Sequence, residues 1–224
     1  MLSVDKTPVL ISDFDKTITK IDFFYYVVKN YLKKEDLKPW DEYIAGNLRH
    51  FEALQQIFSK VKIPLEQFHN DILQIPVEED FVKVVKYCKK NNIKVYIISA
   101  GAEYYIKILL KKMEIQNDIT LFSNKSYYST EKGLYMERLN PGELFYCPEY
   151  GINKEKIVKA IKNDCNYCIY AGDGRSDRPA ARHADRIFAK DALLEYCKEN
   201  NIEATELISY RQILEFLTHD QSTS

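Results

Sequence analysis

Apolar positions along the chain fall into two patterns. Short continuous runs, Val9-Leu10-Ile11-Ser12, Ile93 to Ser99, Ile119 to Ser123, Tyr167 to Ala171 and Arg186 to Ala189, read as strands buried on both faces. Between them, apolar residues recur at helical spacing. Phe81, Val84, Val85 and Cys88 share one face of a helix predicted from Val77 to about Asn91. Glu103 to Met113, Lys154 to Asn163, Asp177 to His183, Ala192 to Asn200 and Gln212 to Leu217 read as further helices. Tyr127 to Met136, turning at Lys132-Gly133, predicts a β-hairpin. Strand and helix in alternation imply an α/β fold, a Rossmann-like parallel sheet with crossover helices.

One stretch breaks the alternation. From about Ile21 to Leu73 helical spacing continues through Phe23, Phe24, Val27, Val28 and Tyr31, then Leu48, Phe51, Leu54, Gln55 and Phe58, punctuated by Pro39, Gly46 and Pro64. That is too long for a crossover. The expected organisation is a core of residues 1–20 and 74–224 with an all-helical cap, residues 21–73, inserted after the first strand.

Composition narrows the partners. The 224 residues carry 32 Lys and Arg against 33 Asp and Glu, a net charge of -1, which favours neither nucleic acid nor an anionic membrane. There is no apolar run of membrane-spanning length and no signal-peptide core, so the chain is expected in the cytoplasm. An odd count of 5 cysteines argues against a disulfide framework, and Cys165-Asn166-Tyr167-Cys168 reads as small residues of a strand start.

Polar residues cluster where strands end. Asp13-Phe14-Asp15-Lys16-Thr17 closes the first strand with two acids on one side and a hydroxyl, which calls for a divalent metal, a nucleophile and a proton donor. Ser99-Ala100-Gly101 closes the second long run, where the hydroxyl and nearby amides suit an anion, with a helix N-cap as the alternative. Gly172-Asp173-Gly174-Arg175-Ser176-Asp177 brings two more acids to a tight turn or forms a solvated loop, and Lys154 opens a helix. Other chemistries fail on residues. Ile97 occupies the first glycine of a nucleophile elbow, and Asp177 would face a dinucleotide pyrophosphate. The 4 His show no metal-binding spacing, and Ile18 stands at an EF-hand glycine.

Taken in order, these four motifs resemble those of the haloacid dehalogenase-type phosphatases, over about residues 8 to 200. Within that superfamily the chain is similar to the phosphoserine-phosphatase-like branch. Ser99 to Ile106 and Ile187 to Asp191 resemble its methionine-salvage ketopentenyl-phosphate phosphatases, with the phosphocholine/phosphoethanolamine phosphatases as close relatives. The resemblance implies Asp13 as nucleophile, Asp15 as general acid and base, and Thr17, Ser99 and Lys154 at the phosphoryl group. It further implies Mg²⁺ on Asp13, the Asp15 carbonyl, Asp173 and Asp177, and a small phosphorylated metabolite contacted by Asp22, Ser99, Ala100, Lys154 and Arg49. The expected substrate is a methionine-salvage-like keto-alcohol phosphate. Phosphoserine, phosphocholine or phosphoethanolamine, phosphoryl transfer to another acceptor, and a non-catalytic binding module stand as alternatives. Oligomeric state, monomer or homodimer, stays open. Lys16 replaces a commonly small residue.

Overall fold

Strand β1 (Pro8–Ser12) is apolar on both faces, and the structure, a computed structural model describing residues 8–219, buries both. The outer ends of the expected core, residues 1–7 and 220–224, lie outside the described residues. After β1 come α1 (Phe23–Tyr31), a 3-10 turn (Lys34–Leu37), α2 (Lys38–Ile44), α3 (His50–Phe58), α4 (Leu65–Leu73) and α5 (Glu79–Lys90). Then follow β2 (Lys94–Ala102), α6 (Glu103–Lys112), β3 (Thr120–Asn124), the hairpin β4 (Ser126–Ser129) and β5 (Gly133–Met136), and a two-residue pair, β6 (Tyr146–Cys147) and β7 (Gly151–Ile152). The chain continues through α7 (Lys154–Asn163), β8 (Tyr167–Gly172), a 3-10 turn (Arg175–Asp177), α8 (Arg178–Ala181), β9 (Arg186–Ala189), α9 (Asp191–Glu199), β10 (Thr205–Glu206) and α10 (Tyr210–His219).

Six parallel strands form one sheet in the order β10-β9-β8-β1-β2-β3. Period-two alternation divides its side chains between two helical layers. Leu10, Val95, Ile97, Ile169 and Phe188 pack with α5, α6 and α10, while Val9, Ile11, Ile98, Tyr170 and Ile187 pack with α7, α8 and α9. The chain runs from β1 to one side and later returns to the other, so β1 lies at the topological switch point, where open α/β sheets bind ligands. Ser12 pairs in register with Ile97 of β2 and Ala171 of β8. That register brings the polar ends of all three strands to one edge.

Helices α1, α3 and α4 share the core of the α5 and α6 layer, through Phe23, Phe58 and Phe68 beside Phe14 and Tyr105. Where the chain leaves for these helices and returns, Thr19 bridges Val77, the Lys20 amide donates to the Pro76 carbonyl, and the Glu78 amide to that of Ile18. The hairpin holds the helices from outside. Tyr128 Oη bonds both main-chain groups of Ile63, and Gln55 Oε1 accepts from the Met136 amide at 2.6 Å.

The structure departs from the sequence reading in detail. Strand β2 runs past Ser99 to Ala102, with a register shift between Ile98 and Ala102, because Asn124 takes the Ala100 carbonyl with its side chain (2.7 Å). Strands β6, β7 and β10, two residues each, are too short to show a period. The helix expected from Asp177 begins as a 3-10 turn at Arg175. The five cysteines are free, with Cys168 buried in β8. Among the described residues no helix is long and apolar enough to cross a membrane.

Candidate active site

The β1 chain end delivers Asp13 directly: its amide donates to the Ala171 carbonyl at 2.9 Å, extending the ladder by one step. Lys154 reaches it from the first turn of α7, a helix capped by the Asn153 side chain, which accepts from the Lys156 amide at 3.0 Å. The lysine is 4% exposed, and its ammonium donates to Asp13 Oδ1 and Asp177 Oδ1, each at 2.7 Å. Asp177 is fully buried and satisfied on both oxygens. Tyr170 Oη donates to Oδ1 at 2.6 Å, and the amides of Asp173 and Gly174 donate to Oδ2 at 3.2 and 2.9 Å.

Asp13, Asp173 and Asp177 each offer an oxygen within 4.8 Å of the others. One buried lysine faces three buried acids, and the proton affinities of Asp13 and Asp173 are raised. Burial, then Asp177, raises Asp13 well above the ordinary carboxylate range despite Lys154. Burial and Asp177 likewise push Asp173 up to about 6. Burial works against the Lys154 charge, but Asp13 and Asp177 outweigh it and hold the ammonium above its ordinary value. An all-oxygen donor set with uncompensated negative charge fits a hard divalent cation such as Mg²⁺.

Asp15 has other company. Its Oδ1 accepts from the Phe23 amide at the start of α1 (3.1 Å), and its Oδ2 from the Tyr105 hydroxyl, with Ser99 Oγ at 3.4 Å. Its side chain is thus outside the three-acid group, and burial, then Asp22, pushes it up to about 8. Both Asp13 and Asp15 nevertheless line one cavity of about 420 Å³.

That cavity gathers most of the residues singled out in the sequence. Asp13, Asp15, Asp22, Ser99, Ala100, Lys154 and Asp173 line it, and Ser99 Oγ accepts from the Gly101 amide at 3.0 Å. Asp177 lies behind, joined through Lys154. Thr17 is buried next to the loop with an Oγ1 that has no hydrogen-bond partner, a group that a phosphoryl oxygen would satisfy. Arg49 is not brought in: it is exposed at the start of α3, its amide on Glu52 Oε2, and it is absent from the cavity wall. Lys16 lies at the wall, paired with Asp191 and 3.6 Å from Asp173.

Trp40 and Tyr43, which the expected cap segment offers as possible contacts, are brought to the cavity, whereas Phe24, His50 and Tyr150 beside them went unread as site residues. Phe24, Trp40, Tyr43, His50 and Tyr150 form an aromatic wall, with Trp40 stacked on Phe24 at 4.1 Å and His50 against Tyr43 and Tyr150 at 5.4 and 5.3 Å. Burial, then Lys154, lowers His50 to about 4, so this wall is neutral. Tyr105 and Tyr170, which hold Asp15 and Asp177, are two of 17 tyrosines; Tyr105 falls within the Ser99 to Ile106 stretch, but no role was read for either.

Comparison with known proteins agrees with this geometry. The chain is 27% identical over 213 residues to a 2-hydroxy-3-keto-5-methylthiopentenyl-1-phosphate phosphatase of Bacillus cereus, spanning 92% of this chain and 94% of that one. A protein of the same name from Bacillus thuringiensis is 25% identical over 212 residues, with the same coverage. A substrate-bound phosphoserine phosphatase shares the fold with a TM-score of 0.68 at 20% identity, covering 96% of this chain and 99% of that one. The haloacid dehalogenase-like hydrolase family matches residues 10–182. With its motifs at the three strand ends and at Lys154, the chain belongs to that family, as a phosphoric monoester hydrolase.

Proposed function

We propose that this protein hydrolyses a small phosphorylated metabolite through an aspartyl-phosphate on Asp13, with Mg²⁺ as cofactor. The observation that carries the reading is the separation of two acids on one cavity. Asp13 sits among Lys154, Asp173 and Asp177, whereas Asp15 is held apart with a pKa of about 8. A nucleophile needs the first environment and a proton carrier the second.

Asp13, Asp173, Asp177 and the Asp15 carbonyl would hold Mg²⁺, which supplies charge against the repulsion between a carboxylate and a phosphate dianion. Lys154 adds its own charge, and Thr17, Ser99 and the amide of Ala100 hold the phosphoryl oxygens. An Asp13 oxygen attacks phosphorus, the ester P–O bond breaks, and the leaving oxygen takes the Asp15 proton. Water then attacks the same phosphorus while Asp15 takes a proton back. Inorganic phosphate and the Asp13 carboxylate are released. Residues 21–73 act as the cap that roofs the cavity, over a core of 1–20 and 74–224.

The aromatic wall and Asp22 support a leaving group with an apolar tail and a hydroxyl near the ester, the character of a methionine-salvage-like keto-alcohol phosphate. Asp22 equally suits an ammonium, which keeps phosphocholine and phosphoethanolamine as the second reading. Free cysteines support a reducing, cytoplasmic setting.

The test is phosphate release by the purified protein from a panel of small phosphomonoesters, in Mg²⁺ and in chelator. The panel includes the ketopentenyl phosphate, phosphoserine, phosphocholine and phosphoethanolamine. Mg²⁺-dependent release with an acid-stable, hydroxylamine-labile phosphoryl group on Asp13 is expected. Release undiminished after verified metal removal, or an intermediate on another residue, would overturn the reading. Transfer of the phosphoryl group to an added alcohol in place of water would identify a phosphotransferase.

A further inference from the structure

The proton carrier named above is held by a side chain that the mechanism leaves unused. Tyr105, in α6, is 1% exposed, and its hydroxyl donates to Asp15 Oδ2. Its ring lies flat on Phe23, with centroids 3.7 Å apart and planes 8° from parallel. Phe23 is the residue whose amide donates to Asp15 Oδ1 at 3.1 Å. One tyrosine therefore serves both oxygens: Oδ2 through its hydroxyl, and Oδ1 by backing the residue that donates to it. Gly101 leaves room for this contact, since a methyl group there would strike the Tyr105 hydroxyl and lie 2.9 Å from Asp15 Oδ2.

A buried tyrosine needs some partner for its hydroxyl, so a core tyrosine that happens to meet an acid is the plain alternative. Two features go against it. The acceptor is a carboxyl lining the cavity rather than a backbone carbonyl, and the strand bends through small residues, Ala100-Gly101-Ala102, where the hydroxyl passes. We propose that Tyr105 is a positioning residue for the reaction. Its hydroxyl pins the Asp15 carboxyl against the first turn of α1, on the leaving-group side of the cavity and away from Asp13, Asp173 and Asp177. The kinetic consequence rests on the phosphatase reading; the geometric one does not.

Tyr105→Phe keeps the ring and its stacking on Phe23 and removes only the hydroxyl. A well-placed general acid and base contributes about 10²- to 10⁴-fold, so its misplacement should lower kcat for an alkyl phosphomonoester by roughly 10- to 100-fold. KM should stay within about twofold, because Asp15 does not carry the binding of the phosphoryl group. With p-nitrophenyl phosphate, whose leaving group needs no proton, the burst of nitrophenol should persist while the aspartyl-phosphate accumulates. A crystal structure of the variant should show the Asp15 carboxyl turned off the Phe23 amide. An unmoved carboxyl, or an equal loss on both esters with no accumulated intermediate, would show an ordinary core tyrosine and overturn the proposal. If the wild-type protein releases phosphate from no ester, yet the carboxyl moves in the variant crystal, the phosphatase reading fails and the positioning role stands.

Discussion

Lys154→Met should destabilise the metal-free protein by about 3–5 kcal/mol, the range for removing one partner of a buried ion pair. The ammonium is 4% exposed and makes two bonds of 2.7 Å, to Asp13 and Asp177. Charge-assisted hydrogen bonds contribute roughly 1.5–3 kcal/mol each, so the two together span a similar range. Methionine keeps the length of the stem and leaves Asp13 and Asp177 without the cation they share. In a domain of this size each kcal/mol moves Tm by about 2–4 °C, so the variant should melt roughly 6–20 °C lower in chelator at pH 8. Protonation of the neighbouring acid Asp173, pushed up to about 6, relieves part of the repulsion among these acids, so the deficit should shrink at pH 5.5. Saturating Mg²⁺ should also restore part of it, since a ligand at 100 times its Kd adds about 2.7 kcal/mol. Thermal and urea unfolding under these conditions measure all of it. A Tm in chelator at pH 8 equal to that of the wild type would show that Lys154 neutralises nothing, and the charge accounting of the site would fall with it.

Three further outcomes follow from the same geometry. Without metal, wild-type stability should rise as pH falls from about 8 towards 6. Asp15, raised to about 8, and Asp173, raised to about 6, both from 3.8, bind protons more tightly folded than unfolded, and this contribution is lost as pH rises through those values; urea melts showing the opposite slope would refute it. Asp13→Asn should remove all detectable phosphoenzyme, whereas Asp15→Asn should still accept phosphate from an ester with a good leaving group; near wild-type turnover in Asp13→Asn would overturn the assignment. Asp22→Asn keeps an oxygen to cap α1, where Asp22 Oδ1 accepts from the Phe24 amide at 2.7 Å, and removes the charge. It should lower kcat/KM for the true substrate several-fold more than for p-nitrophenyl phosphate, and equal losses would leave Asp22 with a capping role alone.

The sheet was legible because its central strands are buried on both faces and so read as unbroken apolar runs, each ending abruptly in polar residues. Helix α7 was legible to its exact ends because an Asn cap, a helical apolar stripe and a terminal Asn coincide. Arg49 shows the converse. Residues Phe51, Leu54, Ile57 and Phe58 of α3 turn into the core, and the arginine, at the turn before them, is left in solvent, an outcome that depends on how the helix docks. How Trp40 and Tyr43 are completed into an aromatic wall was hidden for the same reason. Trp40 and Tyr150 lie far apart in sequence and are joined through the His50 ring, 5.9 and 5.3 Å from theirs, where the Glu149 carbonyl and carboxylate take the amides of Phe51 and His50 at 2.9 and 3.2 Å.

Alternation along an extended chain sends Asp13 and Asp15 to one side, and both do open on one cavity, but it cannot say that their partners differ. The difference comes from the turn that follows β1. Three amides, of Thr17, Ile18 and Thr19, converge on the Phe14 carbonyl, and Lys16 takes a left-handed φ of 55°. That conformation is disfavoured by roughly 1–2 kcal/mol for a residue other than glycine. Here it carries an ammonium to Asp191, near Asp173, so the loop that strains the backbone also adds a cation beside the acids. The same turn swings Asp15 out of line with β1 and under the first residue of α1. Strand register thus delivers Asp13, the proposed nucleophile, while the turn and the helices beyond it place Asp15, the proposed proton carrier. Chemistry that needs two acids in unlike surroundings is met two residues apart because the chain changes direction between them.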